Sequence, residues 1–168
     1  MKKKKKPKLG PLGIIIAVLL LGVGVLYIAR NNHSYTSSQE QTKTYQSKSL
    51  KFSVIILTSA LVKEKQTYVD IIFGDKLINV VRNGTNFQSL IEYLKDFDSK
   101  KKEEVGQENE FIINGYKANS RIENNRAANR IQKVYYIYVE NWVYSLSTSS
   151  PTLYGDLDQI ARSFRYAP

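Results

Sequence analysis

An uncharged apolar run near the N-terminus is the feature that most constrains this chain. Residues 9–29 read LGPLGIIIAVLLLGVGVLYIA and contain no charged side chain. As a helix this run would span about 31 Å, which matches the hydrocarbon thickness of a bilayer. Pro11 falls in the first turn, where a missing N–H costs little, and Tyr27 falls near the far interface. The run therefore predicts a single transmembrane helix that places the chain in the lipid bilayer.

A cleaved secretory signal is the main alternative for this run. Such a signal has an apolar region of about 7–15 residues and small residues at its cleavage site. Here the run is longer, and Tyr27 stands where a small residue belongs. A lipoprotein signal needs a cysteine, and the chain has none. Residues 9–29 are thus interpreted as a signal-anchor that stays attached.

Basic residues are concentrated before the apolar run. Residues 1–30 hold seven basic residues and no acidic one, whereas residues 49–168 hold sixteen basic and fourteen acidic ones. Most of the formal net charge of +10 therefore comes from the tail, residues 1–8. By the positive-inside rule the N-terminus is cytoplasmic, and the chain beyond the helix is extracytoplasmic. A nearly neutral domain disfavours nucleic acid as its partner.

A polar segment separates the apolar run from a folded domain. Residues 30–48 have no apolar periodicity and predict a flexible linker. Residues 49–168 then form one domain. Residues 50–57 predict a strand, and Gly74-Asp75, Asn114-Gly115 and Glu140-Asn141 each join two apolar runs as a hairpin.

Two helices follow from apolar side chains at helical spacing. The first is predicted to begin at a cap on Asn86, and the second at a cap on Ser150. Their apolar stripes are Phe87, Leu90, Ile91, Leu94 and Phe97 in the first, and Leu153, Leu157, Ile160, Ala161 and Phe164 in the second. The fold class is therefore α+β, with a mainly antiparallel sheet covered by helices and preceded by a single transmembrane helix.

Three stretches of the domain resemble the PsbP-type family. They are residues 50–54, residues 135–139 followed by 142–146, and a closing helix with 157–160 and 163–165. The resemblance covers residues 50–168 and implies an α/β/α sandwich, here in a membrane-anchored bacterial version. It also implies a non-enzymatic domain that binds other proteins. Residues 58–61 (TSAL) depart from the family, which often has a proline and a tryptophan there.

The domain lacks the side chains of most catalytic and metal sites. Residues 49–168 contain no cysteine and no histidine, and no carboxylates have metal-loop spacing. We therefore predict no catalytic residue, no metal site and no cofactor. Asp70 interrupts an apolar run and is interpreted as a partner of Arg82. A carboxylate enzyme that uses Asp70 as one half of an acid–base pair is a further hypothesis.

Aromatic residues crowd the third predicted hairpin and occur on both faces of its first strand. They fill the space between sheet and helix, or they form a surface. The candidates for contact with a partner protein are Tyr135, Tyr138 and Trp142. The leading hypothesis is an anchored extracytoplasmic binding or scaffold domain that acts on another envelope protein. The alternative is stacking on single-stranded nucleic acid beside the basic residues Arg126, Arg130 and Lys133.

Overall fold

The structure, a computed structural model, describes residues 41–100, 104–125 and 129–168. The predicted tail at 1–8, the predicted transmembrane helix at 9–29 and the first part of the predicted linker lie outside these residues. Within the described ranges, no helical segment reaches the length and hydropathy that a membrane span requires.

The described residues form ten strands and two α-helices. The strands are β1 Thr42–Ser47, β2 Phe52–Leu57, β3 Leu61–Glu64, β4 Tyr68–Phe73, β5 Lys76–Gly84, β6 Glu104–Ile113, β7 Tyr116–Asn125, β8 Arg130–Val139, β9 Trp142–Thr148 and β10 Arg165–Tyr166. The helices are α1 Leu90–Lys100 and α2 Tyr154–Ser163, the latter after a 3-10 turn at Pro151–Leu153.

Seven strands form one antiparallel sheet in the order β3-β4-β5-β9-β8-β7-β6. The three predicted hairpins are confirmed as β4/β5, β6/β7 and β8/β9. Asn114 and Gly115 have φ values of 48° and 91°, as a type I′ turn requires. Gly74 has a φ of 64°, in the region that favours glycine. Local turn chemistry therefore sets the register of these pairs.

A second, smaller sheet with the order β1-β2-β10 was not predicted. Thr42–Ser47 belongs to the predicted linker, yet it pairs with the whole of β2, so the linker prediction is wrong for these residues. Of its six side chains only Ser47 is buried, and the strand therefore carries no apolar signal. The folded domain thus begins before residue 49.

Helices cover both faces of the large sheet, as predicted. On one face, α1 packs Leu90 and Leu94 against Tyr136 and other residues of β8 and β9. On the opposite face, α2 and the small sheet share one core, and the predicted stripe of α2 is buried. That core includes Phe164, whose ring stacks on that of Phe52 at a centroid distance of 5.8 Å.

Both helix starts differ from the predictions. Helix α1 begins at Leu90, and the Ser89 hydroxyl, rather than Asn86, accepts a 3.3 Å hydrogen bond from the Glu92 backbone N–H. Ser150 precedes the 3-10 turn that leads into α2, but its side chain makes no cap hydrogen bond. Ile91, predicted on the buried stripe, is 50% exposed.

Glu64 ties the large sheet to the small one. Its carboxylate accepts hydrogen bonds from the Tyr45 hydroxyl at 2.5 Å, the Ser47 hydroxyl at 2.9 Å and the Ser49 backbone N–H at 3.0 Å. Burial alone raises the pKa of Glu64, but the hydrogen bonds from Ser49, Tyr45 and Ser47 outweigh it and lower that pKa to about 2. The ionised form of Glu64 is thus the form that the fold favours.

We expect Glu64→Gln to remove a pH-dependent part of the stability. A pKa of about 2 in the folded state lies below the unfolded value of 4.5, so the contribution of Glu64 is complete above pH 4.5. It is lost as the pH falls toward 2. Unfolding free energies measured in urea should therefore differ between the two proteins at neutral pH and converge in acid. If the difference in unfolding free energy between the two proteins stayed constant down to the lowest pH, the role of Glu64 would be contradicted.

Candidate binding site

Tyr135, one of the three predicted contact residues, is buried. It is 5% exposed, and its hydroxyl donates a 2.6 Å hydrogen bond to Asp158 of α2. Burial and the adjacent Asp158 carboxylate raise the pKa of Tyr135 above its ordinary value. Its ring packs edge-on against Phe111. Tyr135 therefore belongs to the core, and its prediction as a contact residue is wrong.

Tyr138 and Trp142 lie on opposite faces of the large sheet. The Tyr138 hydroxyl donates to the Phe87 carbonyl oxygen at 2.8 Å on the α1 face. Trp142 packs on the α2 face, with the guanidinium of Arg82 4.3 Å from its ring centroid. Both residues are half-buried. The three candidates do not form one surface, because side chains alternate along a strand.

The predicted pairing of Asp70 with Arg82 is also wrong. The Asp70 carboxylate accepts a 2.7 Å hydrogen bond from the amide of Asn79, directly opposite on β5. Arg82 donates instead to the Leu50 carbonyl oxygen at 3.1 Å. Asp70 is therefore held by a cross-strand hydrogen bond, and Arg82 links the large sheet to the start of the small one.

Two of the three basic residues considered for nucleic-acid binding are among the described residues. Arg126 lies outside the described residues, and Arg130 is exposed at the start of β8. The Lys133 ammonium lies 2.6 Å from the Asp158 carboxylate, so its charge is balanced locally. The described basic residues therefore give no added support to the nucleic-acid hypothesis.

A network of charged residues joins α1 to the sheet. Arg121 and Glu123 of β7 are 2% and 1% exposed, and the Arg121 Nε donates to Glu123 at 2.9 Å. The other guanidinium nitrogens of Arg121 donate to both carboxylate oxygens of Asp98, at 2.9 and 2.8 Å. Because Asp98 belongs to α1, this bidentate pair fixes the C-terminal half of the helix on β7.

The remaining oxygen positions of Glu123 are also satisfied. The Tyr136 hydroxyl donates to it at 2.7 Å and the Gln132 amide at 2.8 Å. Burial alone lowers the pKa of Arg121, but the hydrogen bonds that it donates to Asp98 and the nearby Glu123 carboxylate raise it above its ordinary value. The guanidinium therefore stays charged although it is buried.

A groove of about 330 Å³ lies between α1 and β6 on the same face of the sheet. Its lining includes Leu90, Ile91 and Leu94 of α1, Glu110 and Ile112 of β6, and Asn119 of β7. Ile91 is 50% exposed and Ile112 is 63% exposed. Two large aliphatic side chains are thus open to solvent at one concavity, a feature typical of an interaction site.

Asn119 contributes an unpaired polar atom to this groove. It is 1% exposed, and its Nδ2 donates to Glu108 at 2.7 Å. Its Oδ1 accepts no hydrogen bond from any residue that the structure describes. Leaving a buried acceptor unpaired costs about 1–3 kcal/mol.

A second cleft, of about 660 Å³, lies on the opposite face beside α2. Lys133, Tyr135 and Tyr154 are part of its lining. The Lys133 ammonium lies within 6 Å of both tyrosine rings and is paired with Asp158. Lys133 and Tyr135 thus share the Asp158 carboxylate beside this cleft.

No family model and no curated protein matches the sequence. The solution structure of cyanobacterial PsbP (CyanoP) from Synechocystis sp. PCC 6803 matches the structure with a TM-score of 0.53. The match covers 76% of this chain and 93% of that chain, at 11% identity. The fold is PsbP-like. The resemblance found in the sequence is thus supported at the level of the fold, and the groove is described from this chain alone.

We expect Arg121→Met to be among the most damaging substitutions in this PsbP-like domain. It leaves Glu123 charged and buried without its cation, which costs about 3–5 kcal/mol. Asp98→Asn should cost less, because the Asp98 side chain is 41% exposed and water can replace part of the pairing. Urea unfolding of the two variants measures the loss in unfolding free energy for each.

The double variant Arg121→Met with Glu123→Leu is the matched control. It removes both charges, so the cost should fall well below that of Arg121→Met alone. Equal losses for the single and double variants would show that the unpaired buried charge of Glu123 is not the source of the cost.

Proposed function

We propose that this chain is a membrane-anchored, extracytoplasmic and non-enzymatic domain that binds another envelope protein through the groove between α1 and β6. The observation that carries the proposal is the pair of exposed isoleucines, Ile91 and Ile112, at the mouth of one concavity. Full burial of each would stabilise a complex by about 1.5–3 kcal/mol, reduced by the fraction already covered.

The groove fits a protein better than a small molecule. Its volume of about 330 Å³ is at the lower limit of small-ligand pockets. It opens beside β6, which among the described residues pairs with a strand on one side only. Around the isoleucines lie exposed charged residues, Glu110 and Lys117. An apolar centre with a charged rim is the usual composition of a protein interface.

The sequence before β1 supports a partner in or near the membrane. The apolar run at 9–29 and the lysines before it predict an anchor with the domain outside. If residues 30–41 are a flexible chain, their mean end-to-end distance is about 20 Å. The domain then samples a shell close to the bilayer, where envelope proteins are concentrated.

Crosslinking in cells tests this proposal with the full-length protein. Ile112→Asp and Ile91→Asp should each abolish most of the crosslinked partner, because a carboxylate cannot be buried in an apolar contact. Both are surface changes, so the free energy of unfolding should move by about 0.5 kcal/mol or less. Leu61→Asp is the matched control, since Leu61 is 68% exposed but belongs to β3 at the other edge of the sheet.

An unchanged partner yield in both isoleucine variants contradicts the proposed surface. Loss of the partner in Leu61→Asp alone would place the contact at the opposite edge of the sheet.

A further inference from the structure

The hydrogen-bonding direction of each β6 residue follows from the turn that ends the strand. In a two-residue type I′ hairpin the residues that flank the turn form a hydrogen-bonded pair, here Ile113 and Tyr116. The backbone groups of Ile113 and Phe111 therefore point toward β7. Those of Ile112 and Glu110 point the other way, toward the outer edge of the sheet.

This outer edge has no strand beside it in the part of the chain that the structure describes, since β6 pairs there with β7 only. The register shift of β6 lies between Val105 and Glu108, so the stretch from Glu108 to Ile113 is regular. The opposite edge, β3, has four residues and is bound to β1 through Glu64. Edge β6 is therefore the longer of the two.

The side chains of this stretch specify what could pair with it. Ile112 and Glu110 face the groove, and each would stand directly opposite a side chain of an added strand. An apolar side chain would pair favourably with Ile112, and a basic side chain with Glu110. Asn119 lies opposite Glu110 in the register with β7, so the two residues line the same part of the groove.

We propose that the partner presents an extended segment that adds to β6 as a further strand, with basic and apolar side chains alternating on the groove side. This inference rests on the proposed function and names the form of its ligand. Main-chain hydrogen bonds to Glu110 and Ile112 supply the attachment, and the groove selects the side chains.

A second copy of this chain fits the edge poorly. Antiparallel pairing of two β6 strands about a two-fold axis would bring Glu108 and Glu110 close to the same residues of the copy. Like charges directly opposite each other destabilise a strand pair. The edge therefore favours a segment that carries lysine or arginine.

Proline substitution separates strand addition from simple surface contact. Ile112→Pro removes an outward N–H and leaves the β7 ladder intact, as proline at a sheet edge does. In cells, the crosslinked partner should fall about fivefold or more in Ile112→Pro relative to Ile112→Ala, which also removes most of the side chain but keeps the N–H. Amide exchange of β7 in the full-length variant confirms that the ladder persists.

A peptide provides the direct measurement. The probe is a blocked six-residue peptide, Lys-Thr-Val-Thr-Lys-Thr, in which lysine and valine alternate on one face of the strand. It is titrated into the full-length protein in detergent micelles and followed by amide NMR shifts. We expect the Glu110 and Ile112 amides to shift most, and binding to weaken about tenfold when the lysines are replaced by glutamates.

The outcomes distinguish the two proposals. If Ile112→Pro keeps the partner while Ile112→Asp loses it, the groove is the binding surface, but the partner does not add to β6 as a strand. If neither variant loses the partner, the proposed function falls as well. If the glutamate peptide binds as tightly as the lysine peptide, the charge selection is wrong. A concentration-dependent dimer that Ile112→Pro abolishes would identify a second copy as the occupant and overturn the partner segment.

Discussion

The buried pairing of Arg121 with Asp98 and Glu123 is the interaction on which the candidate site depends. A guanidinium that is 2% exposed is tolerable only where its charge is matched, and the two carboxylates do this through three hydrogen bonds. Since Asp98 comes from α1, the pairing fixes where the helix lies on the sheet. The helix position in turn leaves the outer part of β6 uncovered and so creates the groove.

The two faces of the sheet have different roles. The α2 face holds a continuous apolar core that includes the small sheet, and its aromatic rings stack around Phe164. The α1 face has a small apolar cluster, with the charged network beside it. The first supplies most of the stability by apolar burial. The second contributes less to stability and places an open concavity next to a strand edge.

The hairpins and the apolar stripe of α2 could be predicted because each depends on neighbouring residues: a turn dipeptide, or apolar side chains at helical spacing. Strand β1 could not be predicted, because its sequence TKTYQS buries only Ser47 and has the polar composition of a linker. Arg121 and Glu123 carry the pattern of a solvated strand face, and their burial is decided by α1, distant in sequence. That the contact candidates do not share one surface has a simpler reason. Tyr135 and Tyr138 are three residues apart on one strand, which places them on opposite faces.

Residue-resolved amide hydrogen exchange of β6, in the full-length protein without a partner, tests the account most directly. An open edge next to a fixed groove predicts fast exchange at Glu110 and Ile112 and slow exchange at Phe111 and Ile113, which bond to β7. Uniformly slow exchange along β6 would mean that the edge is already covered, and the binding surface described here would not exist.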